Sequence, residues 1–327
     1  MAEDGGLLAF MLNLFATFDR RAGSCQFGLG LLLFGCGQVC TVSAATAAQP
    51  LPLAKVANVT KVANIANSNW CSQLIPRLPG VSKLECQQSL LGPSGAKSRR
   101  GFPILVRDIA NAQNKAGLRI LLLGGIHGDE LTASALVFQW MQWMSRPEAL
   151  NFHWKVAPLL NPDGLLASKP QRVNANGVDL NRNFPTPDWQ DQAPRYWAKV
   201  TGSDPRRFPG KAPLSEPESR WVHDEIERFR PNLIISVHAP FGVLDFDGPA
   251  PMPQRFGRLM LNPVGVYPGS LGNYSGVHKN VPVITIELPN AQAMPSDAEA
   301  LRIWQDMLKW IHANVKIANK PHTKTKQ

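Results

Sequence analysis

The chain has 327 residues, of which 44% are hydrophobic and 18% are charged, so it can fill a sizeable core and is not a disordered polymer. Its formal net charge is +10, a balance that suits nucleic acid, a membrane surface or another anionic polymer. The sequence has no cluster of lysine and arginine with interleaved aromatic residues, which argues against a nucleic-acid-binding protein.

The first 48 residues have the pattern of an export leader. Arg20 and Arg21 precede an apolar stretch from Phe27 to Val42, and the small residues of "VSAATAA" follow as a cleavage region. The apolar stretch is short and rich in glycine for a membrane span, which favours a cleaved signal. We therefore expect an exported, periplasmic protein without membrane contact after cleavage. A lipoprotein or a membrane-anchored form is the alternative.

The cysteine positions agree with export. Cys25, Cys36 and Cys40 lie in the leader, so its removal leaves Cys71 and Cys86. In an oxidising compartment these two can form a disulfide that closes a loop of about 15 residues, worth roughly 3 kcal/mol in the chain-entropy model. Two unpaired thiols are the alternative. We expect a linker and a small cysteine-bounded segment over residues 49–98, a main domain over 99–318 and a basic tail over 319–327.

From residue 99 onward, apolar strands alternate with helices. The segments typical of strands are "GFPILVRDI", "LRILLL", "FHWKVAPLL", "PNLIISVHA" and "VPVITIEL". The helical segments are "DELTASALVFQWMQWMSR", which Asp129 can cap, "SEPESRWVHDEIERF" and "SDAEALRIWQDMLKWIHANV". The motif "NPDG" is typical of a turn. This alternation predicts an α/β fold with a sheet, at least partly parallel, that helices cover on both faces.

Three polar residues interrupt or end the apolar strands. His127 follows "LRILLLGGI", His238 ends "PNLIISV" and Glu287 ends "VPVITI". A buried charge or imidazole costs several kcal/mol unless it is paired or bound to a metal. Ligands bind beyond the carboxyl ends of strands in such sheets, so we expect these side chains to meet there. Each residue alone is more typical of a satisfied core group, but three such residues at strand ends favour a functional site.

The stretch "GGIHGDE" adds Glu130, three residues after His127. This spacing allows both side chains to reach one cation, with His238 as a third ligand. Two imidazoles and one carboxylate suit catalytic zinc, which keeps a further position open for water. The glycines of the stretch would let the backbone pass close to a bound substrate.

Five motifs occur in order within about residues 99–315: "GGIHGDE", "NPDG", "NANGVDLNRNFP", "SVHAP" and "ITIELP". This ordered set resembles the zinc carboxypeptidases of the carboxypeptidase A type, and within them the bacterial murein peptide amidase A group. The resemblance implies a single α/β catalytic domain with a mixed, mostly parallel central sheet between helices. It also implies one zinc ion per chain, bound by His127, Glu130 and His238, with Asp179 holding His127 from behind.

The resemblance also implies roles for the catalytic and substrate-binding residues. Glu287 would be the general base that activates the attacking water at the zinc and then protonates the leaving amine. Arg172 would stabilise the oxyanion, and Asn181 and Arg182 would bind the terminal carboxylate of the substrate. The family carries a tyrosine on a loop before the catalytic glutamate. Tyr267 is one candidate for this tyrosine, although it lies closer to the following Gly-Ser pair than in the family, and Tyr274 is the other.

The reaction that the resemblance implies is hydrolysis of a terminal amide bond in peptidoglycan stem peptides, between γ-D-glutamate and meso-diaminopimelate. Asp245 and Asp247 could meet the second amino group of diaminopimelate, although solvation of a loop also explains them. Two other activities remain open: a broad carboxypeptidase on L-peptides, because Arg182 suits any free C-terminus, and a deacylase like aspartoacylase or succinylglutamate desuccinylase. The murein peptide amidase group includes cytoplasmic enzymes, whereas this chain carries an export leader.

Overall fold

The computed structural model describes residues 69–110 and 117–316, all of which belong to one compact unit, Pro52–Gln327. The predicted leader, the linker before residue 69 and the basic tail lie outside the described residues. Within the described ranges, no helix is both long and apolar enough to cross a membrane.

Nine strands of the described residues form one sheet. They are β1 (Gly92–Lys97), β2 (Pro103–Ile109), β3 (Leu118–Leu123), β4 (Phe152–Ala157), β5 (Leu233–His238), β6 (Val243–Asp247), β7 (Arg255–Phe256), β8 (Leu259–Leu261) and β9 (Val283–Glu287). Their order across the sheet is β1-β2-β4-β3-β5-β9-β6-β8-β7. The four central strands, β4, β3, β5 and β9, run parallel. Antiparallel pairs join β2 to β4 on one side and β6 to β9 on the other.

Helices of different lengths connect the strands. The α-helices are α1 (Lys83–Gln88), α2 (Leu131–Trp143), α3 (Pro162–Leu165), α4 (Trp189–Lys199), α5 (Pro217–Phe229) and α6 (Asp297–Asn314). Residues 69–74 are also helical. A π-helix spans Gly272–His278, and short 3-10 helices span Ile75–Arg77, Pro147–Ala149, Leu180–Arg182 and Pro205–Arg207.

Strand β3 shows how the sheet builds a core on each face. Successive side chains point to opposite faces of a strand. Ile120 and Leu122 therefore pack in one cluster with residues of α2 and α6, and Leu121 and Leu123 pack in a second cluster with residues of α5. Because both faces are covered, residues 120–123 of the strand are an unbroken apolar run. The predicted mixed sheet between two helical layers is confirmed, with its parallel strands concentrated at the centre.

Two local predictions were wrong. Asp129 does not cap α2, because Glu130 is the N-cap residue and has no side-chain cap bond. Asp129 instead pairs with a guanidinium, at 2.8 Å between its Oδ2 and Nη2 of Arg206. The expected turn "NPDG" opens the one-turn helix α3, whose first turn Asn161 caps by accepting a hydrogen bond from the Gly164 amide. A proline suits the first helical position, because the backbone N–H at that position has no partner within the helix and its absence costs nothing.

Cys71 and Cys86 form a disulfide with a Cα–Cα distance of 5.8 Å, as predicted. They bound the disulfide segment, residues 69–91, which includes α1 and its reciprocal Ser82–Glu85 capping box. Both cysteines are buried in the same cluster as the inner face of α2. The disulfide segment therefore packs on the main core and does not form a core of its own.

Candidate active site

Three adjacent parallel strands end at the same edge of the sheet and carry the site. β3 leads through two glycines to His127, β5 ends in His238 and β9 ends in Glu287. The register pairs His238 directly with Glu287 across β5 and β9. The strand ends bring together the three polar residues that the sequence separates by more than 150 positions.

His127, Glu130 and His238 converge on one point. His127 Nδ1 lies 2.7 Å from Glu130 Oε1, and His238 Nδ1 lies 3.0 Å from Glu130 Oε2. One candidate ligand atom from each residue lies within 4.8 Å of the other two, and all three residues are buried. The expected convergence of an i, i+3 pair with a distant histidine is therefore present in the structure.

Hydrogen bonds on the outer side orient both imidazoles. His127 Nε2 lies 3.1 Å from Asp179 Oδ1, and an ionised carboxylate can only accept, so this nitrogen carries the proton. His238 Nε2 lies 2.9 Å from Ser236 Oγ, the same arrangement with a hydroxyl. The Nδ1 lone pair of His127 then faces a carboxylate oxygen, a contact that is favourable only with a cation or a proton between them. The donor set, its burial and its outer partners fit catalytic zinc.

The ionisation of the carboxylates matches a cation site. Burial disfavours the charged form of Glu130, but His127 and His238 outweigh it and hold the Glu130 pKa well below its usual range. Burial likewise opposes ionisation of Asp179, and Arg172 followed by His127 holds the Asp179 pKa far below its ordinary value. Both carboxylates are therefore ionised at neutral pH. A metal ligand such as Glu130 must be ionised, and an ionised Asp179 can accept the hydrogen bond of His127.

Arg172 lies against the same group of residues. Its Nε donates to Asp179 Oδ2 at 3.0 Å, and its Nη1 lies 3.1 Å from His127 Nδ1 and 3.5 Å from Glu130 Oε1. Burial alone would lower the Arg172 pKa, but the charges of Asp179 and Glu130 raise it by more than burial lowers it. The guanidinium therefore stays charged. A fixed cation therefore borders the point at which His127 and Glu130 meet.

Glu287 is buried at the edge of the site, with 6% of its surface exposed. Its Oε2 has no hydrogen-bond partner, and burial raises the pKa of its carboxyl group above the ordinary value. A buried carboxylate oxygen without a partner is costly for the fold, and such groups concentrate at functional sites.

A second arginine lies further along the cleft. Arg182 is buried, its Nη1 donates to the Asn181 carbonyl at 2.7 Å, and its Nε has no partner. Its guanidinium lies 4.4 Å from the ring centre of Tyr267. The Asn181 side chain accepts a hydrogen bond from the Leu271 amide at 2.8 Å, which fixes its orientation. Of the two candidate tyrosines, Tyr267 lines the cleft, whereas Tyr274 is buried and stacks on a phenylalanine.

Strand β6 supplies an acidic floor, which we define as Asp245 and Asp247. Leu244, just before them, and Phe246, between them, point into the core. Because side chains alternate along a strand, both carboxylates face the cleft. Burial and, secondarily, Asp245 raise the Asp247 pKa to about 6. Burial also raises the Asp245 pKa. A Cβ at Gly272 would overlap the Asp247 carboxylate, so a larger residue there would have to displace that carboxylate.

One cleft of about 500 Å³ is lined by the candidate metal ligands, both arginines, Asn181, Tyr267, Glu287 and the acidic floor. Asp179 and Ser236 do not line it and contact the outer nitrogens of the histidines. The sequence analysis missed Ser236, which could have been found because it is a polar residue two positions before His238 in a buried strand. It also missed Lys169 and Arg206, which line the same cleft. No local pattern marks them, since their loops reach the cleft only through the tertiary fold.

Comparison with known proteins gives three consistent similarities. The family model of the zinc carboxypeptidases matches residues 93–244. A murein peptide amidase A of Vibrio campbellii (strain ATCC BAA-1116) is 31% identical over 234 residues, which cover 69% of this chain and 89% of that protein. The murein peptide amidase A of Escherichia coli (strain K12) is 29% identical over 221 residues, covering 65% of this chain and 88% of that protein.

The solved carboxypeptidase A from Helicoverpa armigera is similar in fold, with a TM-score of 0.55 at 17% identity. The similarity covers 69% of this chain and 70% of that chain. The relatives are matched over most of their length, and the matched region includes His127, Glu130 and His238. The chain is therefore a hydrolase and belongs to the zinc carboxypeptidase family.

Proposed function

We propose that this protein is a zinc-dependent peptidase that hydrolyses a terminal amide bond of peptidoglycan stem peptides, between γ-D-glutamate and meso-diaminopimelate. The observation that carries the proposal is the pair of opposite charges in one cleft: Arg182 suits a terminal carboxylate, and the acidic floor suits a second amino group. The names of the relatives support the same substrate class.

His127, Glu130 and His238 would hold the zinc. When bound there, zinc would supply Lewis acidity that polarises the scissile carbonyl and lowers the pKa of a water. Glu287 accepts the proton of that water as the water oxygen bonds to the carbonyl carbon. The same carboxyl group then gives the proton to the nitrogen as the C–N bond breaks. Its pKa, raised by burial, suits a group that must both take and return a proton.

Arg172 and Asp179 prepare the site for this step. The Arg172 guanidinium stabilises negative charge that develops on the carbonyl oxygen, in a buried position where such charge–charge contacts are strong. Asp179 holds both the Arg172 guanidinium and the His127 ring, so a single carboxylate aligns the oxyanion partner with a metal ligand. Its loss would disturb both groups at once.

Arg182 binds the terminal carboxylate of the substrate. The planar guanidinium can make two parallel hydrogen bonds to a carboxylate. Its buried Nε has no partner within the protein. Tyr267 packs on the guanidinium and keeps it in place, while Asn181 offers its amide group beside it. A cation at this point suits an enzyme that removes a terminal residue and does not cut within a chain.

The acidic floor distinguishes a diamino acid from ordinary terminal residues. Asp245 and Asp247 are partly buried, and an ammonium group that enters would lower their pKa values and relieve the repulsion between them. This recognition suits the second amino group of diaminopimelate. Peptidoglycan peptides would be the partner of the protein, with neither nucleic acid nor membrane involved in the reaction.

The cellular context forms part of the proposal. A leader over residues 1–48 would direct export to the periplasm, where the disulfide can form. Residues 49–98 would then form the linker and disulfide segment, 99–318 the catalytic domain and 319–327 a basic tail. An exported enzyme would meet peptides of the intact wall or peptides released from it.

Mass spectrometry of reaction products tests the proposed substrate. The purified protein is incubated with L-Ala-γ-D-Glu-meso-diaminopimelate, with a matched peptide that carries 2-aminopimelate and so lacks the second amino group, and with an ordinary L-tripeptide. We expect free diaminopimelate, with preference over 2-aminopimelate that is lost in Asp245→Asn and Asp247→Asn. Asp191→Asn, an exposed substitution on α4, is the matched control. Release from the L-tripeptide alone would favour a broad carboxypeptidase and overturn the proposal.

A further inference from the structure

One wall of the cleft is basic, and the proposed catalytic steps leave it without a role. Lys169, Arg206 and Arg207 line this wall beside the metal-binding residues. Lys169 and Arg206 also line an adjoining open hollow together with Arg100. We define these four residues as the basic wall. The cleft therefore continues past the metal-binding residues along a cationic surface.

The basic wall carries positive charge that the protein does not neutralise. Arg206 pairs with Asp129 at 2.8 Å, and Arg207 lies 3.6 Å from Asp204. The side chains of Lys169 and Arg100 are exposed and have no hydrogen-bond or ion-pair partner among the described residues. Four cations thus face two carboxylates. Fixed charge of one sign in a cleft attracts a ligand group of the opposite sign.

The basic wall and the acidic floor lie on opposite sides of the metal-binding residues. The strands run in the order β3, β5, β9, β6 across this part of the sheet. The basic wall is tied to the β3 side, because Arg206 pairs with the residue next to Glu130 in the loop after β3. The acidic floor lies on β6. If the leaving residue occupies the floor, the acyl part of the substrate extends toward the basic wall.

A γ-linked glutamate places a carboxylate on this acyl side. Its side-chain carboxyl forms the scissile amide, so its α-carboxylate stays free a few bonds from the reacting carbon. An α-linked residue with a neutral side chain uses its α-carboxylate in the amide and offers no such anion. We propose that the basic wall, chiefly Lys169 and Arg206, binds the free α-carboxylate and so selects γ-linked substrates. This inference rests on the proposed function and names the contact on its acyl side.

A pair of substrates that differ in one group tests the inference. One is L-Ala-γ-D-Glu-meso-diaminopimelate, and the other carries the α-carboxamide in place of the α-carboxylate. We expect the wild type to hydrolyse the carboxylate form with the higher kcat/KM. In the double variant Lys169→Gln, Arg206→Gln this ratio should fall roughly tenfold, as expected for loss of a charge-assisted contact. Lys309→Gln, an exposed lysine of α6 away from the cleft, is the matched control and should keep the ratio.

Salt provides a second readout that misfolding would not reproduce. Contacts between exposed charges weaken as ionic strength rises, so the preference for the carboxylate should shrink between low and high salt in the wild type only. An equal rate on both substrates, or a ratio unchanged in the double variant, would overturn the inference and leave the proposed function intact. If the wild type releases diaminopimelate from neither substrate, the proposed function itself fails.

Discussion

Glu130 couples two parts of the chain at the scale of a single residue. Its Oε1 meets His127, and its Oε2 meets both His238 and the Ala239 amide. Both carboxylate oxygens are used, so the residue fixes the distance between the loop after β3 and the end of β5. This double use explains why Glu130, the N-cap residue of α2, makes no side-chain cap bond: its carboxylate already contacts the two histidines and the Ala239 amide.

Glu287 is predicted to be essential for the reaction and dispensable for the fold. In Glu287→Gln, kcat/KM should fall by about 10²–10⁴, the usual contribution of a general base. Thermal stability should not decrease, because burial raises the pKa of this carboxyl group and the neutral amide avoids the cost of a buried charge. Steady-state kinetics and a thermal melt of the same preparation check both parts. Retained activity would remove Glu287 from the mechanism.

Asp247 is predicted to give the amine preference a pH dependence. Its pKa is raised to about 6, so the carboxylate that would bind an ammonium is lost as pH falls through that value. The preference for diaminopimelate over 2-aminopimelate should therefore be smaller at pH 5 than at pH 8. A preference that does not change over this range in the wild type would exclude Asp247 as the titrating partner.

The raised pKa of Asp247 also makes the stability of the fold depend on pH. The folded-state pKa of Asp247 lies above the ordinary aspartate value of 3.8, so the folded protein binds this proton more tightly than the unfolded chain does. Its contribution to stability is therefore complete below about pH 4 and is lost as pH rises through about 6. Asp247→Asn should consequently raise the melting temperature at neutral pH, which a melt beside the wild type measures.

At the scale of elements, the glycines of "GGIHGDE" are required because neighbouring atoms pack closely against them. A Cβ at Gly128 would overlap the backbone of Gly164 in α3, so the loop that carries His127 touches the "NPDG" helix directly. Gly128→Ala should therefore destabilise the protein by about 1–3 kcal/mol and displace His127. Gly92→Ala is the control, because its Cβ would meet no atom within 4 Å. Denaturant titration of the two variants measures the difference, and equal stabilities would contradict it.

The disulfide is predicted to strengthen the segment that contacts α2. Its sequence separation is 15, for which the chain-entropy model gives about 3 kcal/mol. The double variant Cys71→Ser, Cys86→Ser should lose roughly that free energy of unfolding and keep its activity while folded, because neither cysteine lines the cleft. Loss of activity in the folded variant would show that the disulfide segment acts on the site.

The elements that the sequence predicted share a local signal, and those that it missed lack one. Strands β3, β5 and β9 are apolar runs because both of their faces are covered, so their polar ends stood out. Strand β1 ("GPSGAK") has no apolar pattern, since it is an edge strand with half-exposed side chains. The pairing of Asp129 with Arg206 joins residues far apart in the chain, and local capping rules cannot predict such a pair.

At the scale of the whole molecule, the cleft is organised by charge. Cations of the basic wall lie toward β3, the proposed zinc ligands lie at the strand ends in the middle, and the acidic floor lies toward β6. The net charge of +10 predicted an anionic partner but no location for it. The tertiary fold decides that location, because the loops that carry Lys169 and Arg206 approach the cleft from separate parts of the chain.

The most direct test of the account is the zinc content of purified protein, measured by elemental mass spectrometry in the wild type, His238→Ala and Glu287→Gln. We predict one zinc per chain in the wild type and in Glu287→Gln, and little in His238→Ala, because two ligands from one loop bind far more weakly than three. Removal of the metal by a chelator should abolish hydrolysis, and added zinc should restore it. Full zinc content in folded His238→Ala would contradict the account, because the metal would then lie elsewhere.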